Sequence, residues 1–155
     1  MRVVTVMVVA QLRVAAGEQL ALTQDDVQMD GHAIEFRINA ENAAKNFMPS
    51  PKTITAWNPP AGEGVRLDSG VEAGSPVPLH YDSLLAKLIV HGPDRATAIE
   101  RAEQALAAFH VEGPVTTIPY HRAVLESEDF RAGRLDTHFV AEHPELRERV
   151  LELLG

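Results

Sequence analysis

An α+β fold is what this chain predicts, and three stretches carry that reading. Residues 31–41, Gly-His-Ala-Ile-Glu-Phe-Arg-Ile-Asn-Ala-Glu, alternate apolar and polar positions, the period of a half-buried strand. Residues 53–78 mix β-branched side chains with closely spaced Gly and Pro, the pattern of short, tightly turned strands. Residues 95–109 place Ile99, Ala102, Leu106 and Phe109 at three-to-four spacing, which makes one face of a helix apolar. Together they describe a small antiparallel sheet with several packed helices.

Along the chain, Val8 to Ala16 reads as a helix stopped by Gly17. Thr23-Gln24-Asp25-Asp26 has the spacing of a capped short turn. In the alternating strand, Ile34, Phe36 and Ile38 share one face, and Glu35, Arg37, Asn39 and Glu41 share the other. Asn42 to Lys45 is a helical turn, broken by Pro49 and Pro51. Thr53 to Trp57 reads as a second strand, residues 58–64 as a loop and Val65 to Asp68 as a third strand. Ser83 to His91 is apolar at most positions and is cut short by Gly92-Pro93, so it reads as a buried strand with Lys87 snorkelling from it. Asp94 caps the helix that follows. After Gly113-Pro114 come a helix over Ile118 to Leu125 and a terminal helix over Glu145 to Leu154, opened by Pro144.

With 155 residues the chain is long enough to bury roughly 68–70% of its unfolded surface in a core of its own. The formal net charge of −8 argues against nucleic acid as a partner, because phosphate binding needs a basic surface. There are no cysteines, which removes disulfides, thiolate metal sites and cysteine nucleophiles, and suits a cytoplasmic location. No apolar run approaches the ~18 residues needed to span a bilayer. The opening Met1-Arg2-Val3-Val4 has the basic-then-apolar order of a short signal peptide, yet no small-residue cleavage site follows, since Gln11-Leu12-Arg13 continues a helical pattern.

Arg37 is the leading candidate for chemistry. Guanidinium is planar, permanently charged and suited to hold a small oxyanion. It could equally be a surface arginine paired with Glu35 or Glu41, worth ~0–1 kcal/mol. Asp82 precedes a strand, where an aspartate commonly forms a turn. His32, Glu35 and Glu41 share neither compact spacing nor strand parity, which argues against a metal site. A hydrolase triad finds no Gly-x-Ser-x-Gly elbow and no nucleophile partner for the histidines.

Gly-His-x-Ile-Glu-x-Arg-Ile-Asn-Ala-Glu (residues 31–41), Phe47-Met48-Pro49-Ser50-Pro51, Gly64-Val65-Arg66 and Tyr81-Asp82-Ser83-Leu84-Leu85-Ala86-Lys87-Leu88 occur in this order. This arrangement closely resembles the C-terminal region of biotin carboxylases, from about Gln11 to about Glu142. The resemblance implies a helix over 1–17 preceding the domain, the domain itself over 18–143, and a C-terminal helix over 144–155. It implies that Arg37 stabilises the enolate formed when biotin loses its N1 proton, that Asp82 lies near it in the biotin and bicarbonate site, and that Thr137 and His138 belong to the segment closing over the adenine of ATP. It also implies that Glu63 and Arg66 help form a homodimer interface. Lys52 stands where the family usually has glycine.

The resemblance also marks what this chain lacks. The ATP-grasp portion that holds ATP and Mg2+ in the family, with its Glu-x-Asn-x-Arg-x-Gln-Val-Glu-His segment, is not in this sequence, and no Gly-x-x-x-x-Gly-Lys loop replaces it. The family's partners are that ATP-grasp portion, the biotin carboxyl carrier protein and a carboxyltransferase. Two functions are therefore expected: part of an ATP-dependent ligase that carboxylates biotin and is inactive alone, or a non-catalytic module that docks a carboxylase partner. The valine-rich start is apolar enough to self-associate. Light scattering at high concentration should find a dimer or larger species, and a clean monomer would contradict that expectation.

Overall fold

The computed structural model describes residues 2–154, with side chains from 7 to 153. The side chains of residues 2–6 in the apolar N-terminal run, and the end residues Met1 and Gly155, lie outside the described residues. Two compact units result, Met1–Asp30 and Gly31–Gly155. In the first, helix α1 (Arg2–Ala15) begins well before the expected Val8. No Gly or Pro interrupts the valine run, and β-branched residues lower helix propensity by well under about 1 kcal/mol each. Gly17 ends the helix at φ +91°, and the Glu18 N–H reaches back to the Arg13 carbonyl at 3.0 Å. The Asp26 carboxylate accepts from both the N–H and the hydroxyl of Thr23, at 2.8 and 2.7 Å, closing the expected turn.

The second unit contains strands β1 (His32–Asn39), β2 (Glu41–Asn42), β3 (Met48–Pro49), β4 (Ala56–Asn58), β5 (Val65–Ser69) and β6 (Leu84–Gly92). Helix α2 (Arg95–Ala108), strand β7 (His110–Glu112) and helices α3 (Ile118–Glu126), α4 (Glu128–Arg131), α5 (Phe139–Glu142) and α6 (Glu145–Leu154) complete it. The fold is α+β, as the sequence predicts. Its main sheet is antiparallel in the order β1-β6-β5, with Phe36 opposite Leu88 and Arg37 opposite Lys87.

Period-two alternation decides what each face does. Phe36 and Ile38 of β1, with Ala86, Leu88 and Val90 of β6, are buried against Ile99, Ala102, Ala105 and Leu106 of α2. The other face carries Glu35, Arg37, Arg66, Asp68 and Lys87 to solvent. Gly92 is required where β6 meets α2, because a Cβ there would lie 2.7 Å from the Ala98 nitrogen. Asp94 accepts from the Thr97 N–H at 2.8 Å and starts α2 as expected. A second cluster, with Tyr120, Ala123, Val124, Phe139, Leu146 and Val150, packs the C-terminal helices together.

Two elements differ from expectation. Only Ala56–Asn58 of the stretch 53–57 and its neighbour pairs as a strand, against His110–Glu112, while Thr53 makes an isolated bridge to Pro76. The partner strand lies beyond α2, so local β-propensity could not register the pairing. Lys87 does not snorkel from a buried strand. It stands on the outer face of β6, and its ammonium lies 3.3 Å from Glu35.

His143 links α4 to the end of α5. Its Nε2 lies 3.0 Å from Asp129 and its Nδ1 2.8 Å from the Phe139 carbonyl, so both ring nitrogens face acceptors and the imidazolium suits the site. The Asp129 hydrogen bond first, then the Phe139 carbonyl, hold its pKa above the usual histidine value. A raised histidine contributes stability that is complete below about pH 6.5 and is lost as pH rises through the folded-state pKa.

Leu88→Ala should cost about 2–5 kcal/mol in urea unfolding, whereas Arg66→Ala, at the exposed face, should cost no more than about 1 kcal/mol. The melting-temperature deficit of His143→Ala should be larger at acid pH than at alkaline pH; a deficit independent of pH would contradict the pairing with Asp129.

Candidate functional site

Strand β1 presents Arg37 at the middle of a charged sheet face. Lys87 lies directly across on β6, and Asp68 flanks Lys87 on β5. Two cations opposite one another are unfavourable in an antiparallel pair, and carboxylates beside each of them offset the repulsion. Most nearby carboxylates are already engaged. Glu35 pairs with Lys87 at 3.3 Å. Glu41 accepts from Asn39 Nδ2 at 3.2 Å and from the Ser83 hydroxyl. Asp68 binds Arg66 through two hydrogen bonds of 2.9 and 2.6 Å, and that pairing holds its carboxyl below the usual aspartate range.

The carboxylate left to Arg37 comes from far along the chain. Asp82 Oδ2 lies 3.5 Å from Arg37 Nη2, with the two side chains 68% and 49% exposed. Asp82 also forms the turn that its position suggests, since its Oδ1 accepts from the Leu84 N–H at 3.1 Å. The segment is fastened to the end of β1 by the Ala40 N–H, which donates to the Ser83 carbonyl at 2.8 Å. The β1–β6 register shifts at the same place, between Ile38 and Asn39, an irregularity of the kind that bends a strand locally. Asp82 also lines a cavity of about 200 Å³, together with Pro49, Pro51, Val77 and Tyr81 among others.

An ion pair this exposed is worth ~0–1 kcal/mol. It orients the guanidinium without committing it, and an incoming anion can share or displace the aspartate. The arrangement can therefore hold a small oxyanion or stabilise an oxygen on which charge develops.

Of the other expected site residues, Arg66 shares the sheet face with Arg37 but is bound to Asp68. Glu63 lies on the loop before β5 and pairs with Arg101 at 2.8 Å. Thr137 and His138 stand at the start of α5, where Asp136 Oδ1 accepts from the His138 N–H at 2.7 Å. They belong to the helical half, beside a cavity of about 390 Å³ lined in part by Arg134, Asp136 and His143, and do not join the sheet-face cluster. His32 contacts Arg95 at 3.0 Å. Among the described residues no group of three or more His, Asp or Glu side chains could hold a metal ion, and no helix is long and apolar enough to cross a membrane.

Sequence reasoning missed Thr117 and His121, which bond to the main chain of Arg37 from eighty and more residues away. No local pattern signals such a contact. The partnership of Lys87 with Glu35 was detectable in principle, because alternation along β6 puts Lys87, Ile89 and His91 on one face.

Residues 35–142 match the model of the biotin carboxylase C-terminal domain family. The chain is 50% identical over 130 residues to biotin carboxylase 1 of Bacillus subtilis, covering 84% of this chain and 29% of that protein. It is 49% identical over 136 residues to the biotin carboxylase of a Nostoc species, covering 88% and 30%. Among solved structures, the biotin carboxylase subunit of pyruvate carboxylase superposes with a TM-score of 0.84 at 42% identity, over 88% of this chain and 30% of that one. The biotin carboxylase domain dimer of Hydrogenobacter thermophilus 2-oxoglutarate carboxylase, in complex with MgADP, ADP and bicarbonate, gives 0.83 at 40%, over 88% and 30%. The chain thus spans less than a third of the length of these relatives. It belongs to the biotin carboxylase C-terminal domain family.

Proposed function

We propose that this chain is the part of a biotin carboxylase that supplies a charge-stabilising arginine to the carboxylation of biotin. The observation that carries the reading is the Arg37–Asp82 pair, a half-exposed guanidinium held at 3.5 Å by one carboxylate. In the whole enzyme, bicarbonate takes the terminal phosphoryl group of ATP to give carboxyphosphate and ADP. Carboxyphosphate breaks down to carbon dioxide and phosphate, the phosphate takes the N1 proton of biotin on the biotin carboxyl carrier protein, and N1 bonds to the carbon dioxide. Arg37 binds the ureido oxygen as N1 loses its proton. Its stabilisation is greatest in the transition state because the negative charge appears only then. Asp82 holds the fork in place and gives way as that charge develops.

The donors here do not suit a magnesium ion, since the described residues offer no clustered carboxylates. Metal and phosphate handling therefore falls to the ATP-grasp portion. Thr137 and His138 contribute to the lid over adenine through main-chain and apolar contacts. Glu63, with its side chain 89% exposed, and Arg66 contribute to a homodimer interface. The acceptor of the carboxyl group is chosen by a separate carboxyltransferase, and the enzyme works in the cytoplasm.

Mixing this chain with a separately produced ATP-grasp portion tests the reading. Neither part alone should turn over ATP in response to bicarbonate and biotin, and the mixture should. In the mixture, Arg37→Ala should lower kcat by about 10²–10³-fold, and Arg37→Lys should recover little of it because the planar fork is lost. Stable binding without turnover would instead indicate a non-catalytic docking module, and an Arg37→Ala mixture as active as the parent would remove Arg37 from the chemistry.

A further inference from the structure

Strand β1 is an edge strand of its sheet, so the backbone groups on its far side need partners from elsewhere. At Arg37 to Asn39 those partners come from the first turn of α3. The Thr117 hydroxyl donates to the Arg37 carbonyl at 2.9 Å and accepts from the Asn39 N–H at 3.0 Å. The Thr117 N–H donates to the Asn39 carbonyl at 3.0 Å. His121 Nε2 lies 2.9 Å from the same Arg37 carbonyl. A carbonyl only accepts, so Nε2 carries the proton. Residues 117 and 121 are one helical turn apart, which puts both on the face that meets the strand. The ring of His121 also stands edge-on to Phe36, with centroids 5.4 Å apart.

From this geometry we infer that Thr117 and His121 are positioning residues for Arg37, acting together as a clamp on its carbonyl oxygen. The inference rests on the role proposed for Arg37 only in giving the clamp a purpose; the clamp itself is a statement about geometry. Its location explains why it is needed. One residue beyond Arg37 the β1–β6 register shifts, between Ile38 and Asn39, so pairing with β6 alone leaves the strand free to shift its pleat there. A change in pleat re-aims the side chain, and the Asp82 contact is too exposed to correct it. With both lone pairs of the Arg37 carbonyl engaged, the peptide plane is fixed from the opposite side and the guanidinium emerges towards Asp82. Burial pushes the His121 pKa below the usual histidine value, which keeps the ring a neutral single-proton donor at neutral pH.

Nuclear magnetic resonance on this chain tests the clamp directly. In the parent, His121 should titrate as the Nε2–H tautomer, and the Arg37 and Asn39 amides should have order parameters of about 0.85. His121→Ala and Thr117→Val should drop both amides below about 0.6 and weaken the Arg37–Asp82 side-chain contact in parallel. His121→Gln and Thr117→Ser, which retain a donor at each place, should restore both. If His121→Ala does not fold, the comparison of Thr117→Val with Thr117→Ser carries the test. Arg37 unchanged in folded His121→Ala or Thr117→Val, or no recovery in the donor-retaining variants, overturns the inference. Loss of turnover in the complementation mixture on Arg37→Ala, with these order parameters unaltered by His121→Ala, would leave the role of Arg37 intact and remove the clamp alone.

Discussion

The antiparallel pairing of β1 with β6 is the constraint from which the rest of the second unit follows. Placing Phe36 opposite Leu88 and Arg37 opposite Lys87 sends one alternate set of side chains into the core and the other into solvent. A slip of one residue would bury Arg37 and Glu35 and expose Phe36 and Ile38. Burial of Leu88, Val90 and Ile38 against α2 therefore fixes the orientation of the charged face as firmly as it stabilises the fold. Core packing and site geometry depend on the same register.

On that face the charges are arranged by competition. Glu35 is nearest to Arg37 in sequence on the same side of the strand, but the Lys87 ammonium holds it. Glu41 is held by Asn39 and Ser83. Asp82 is what remains, and it divides its two oxygens between a main-chain turn and the guanidinium. A loosely paired arginine on a rigid strand is suited to a charge that appears only during reaction, because little has to be broken before it acts.

Much of this was legible in the sequence. The alternation over residues 31–41 located β1 and its two faces, and the apolar stripe over 95–109 located α2 with its Asp94 cap. The family motif singled out Arg37 and Asp82, which meet in the structure. Pairings that join distant segments were not legible: β4 with β7, and Thr117 and His121 with the Arg37 main chain. These depend on backbone groups, which carry no residue-type signal, and on contacts spanning much of the chain. The short helices α4 and α5 were missed for a related reason, since four residues hold too little periodicity to stand out.

The central claim is that Arg37 meets the reacting anion from this sheet face. A crystal structure of the chain assembled with its ATP-grasp portion and soaked with bicarbonate tests it most directly. The account predicts a guanidinium nitrogen of Arg37 within about 3 Å of a bicarbonate oxygen, with Asp82 alongside. Bicarbonate bound elsewhere, with Arg37 directed away from it, would contradict the account.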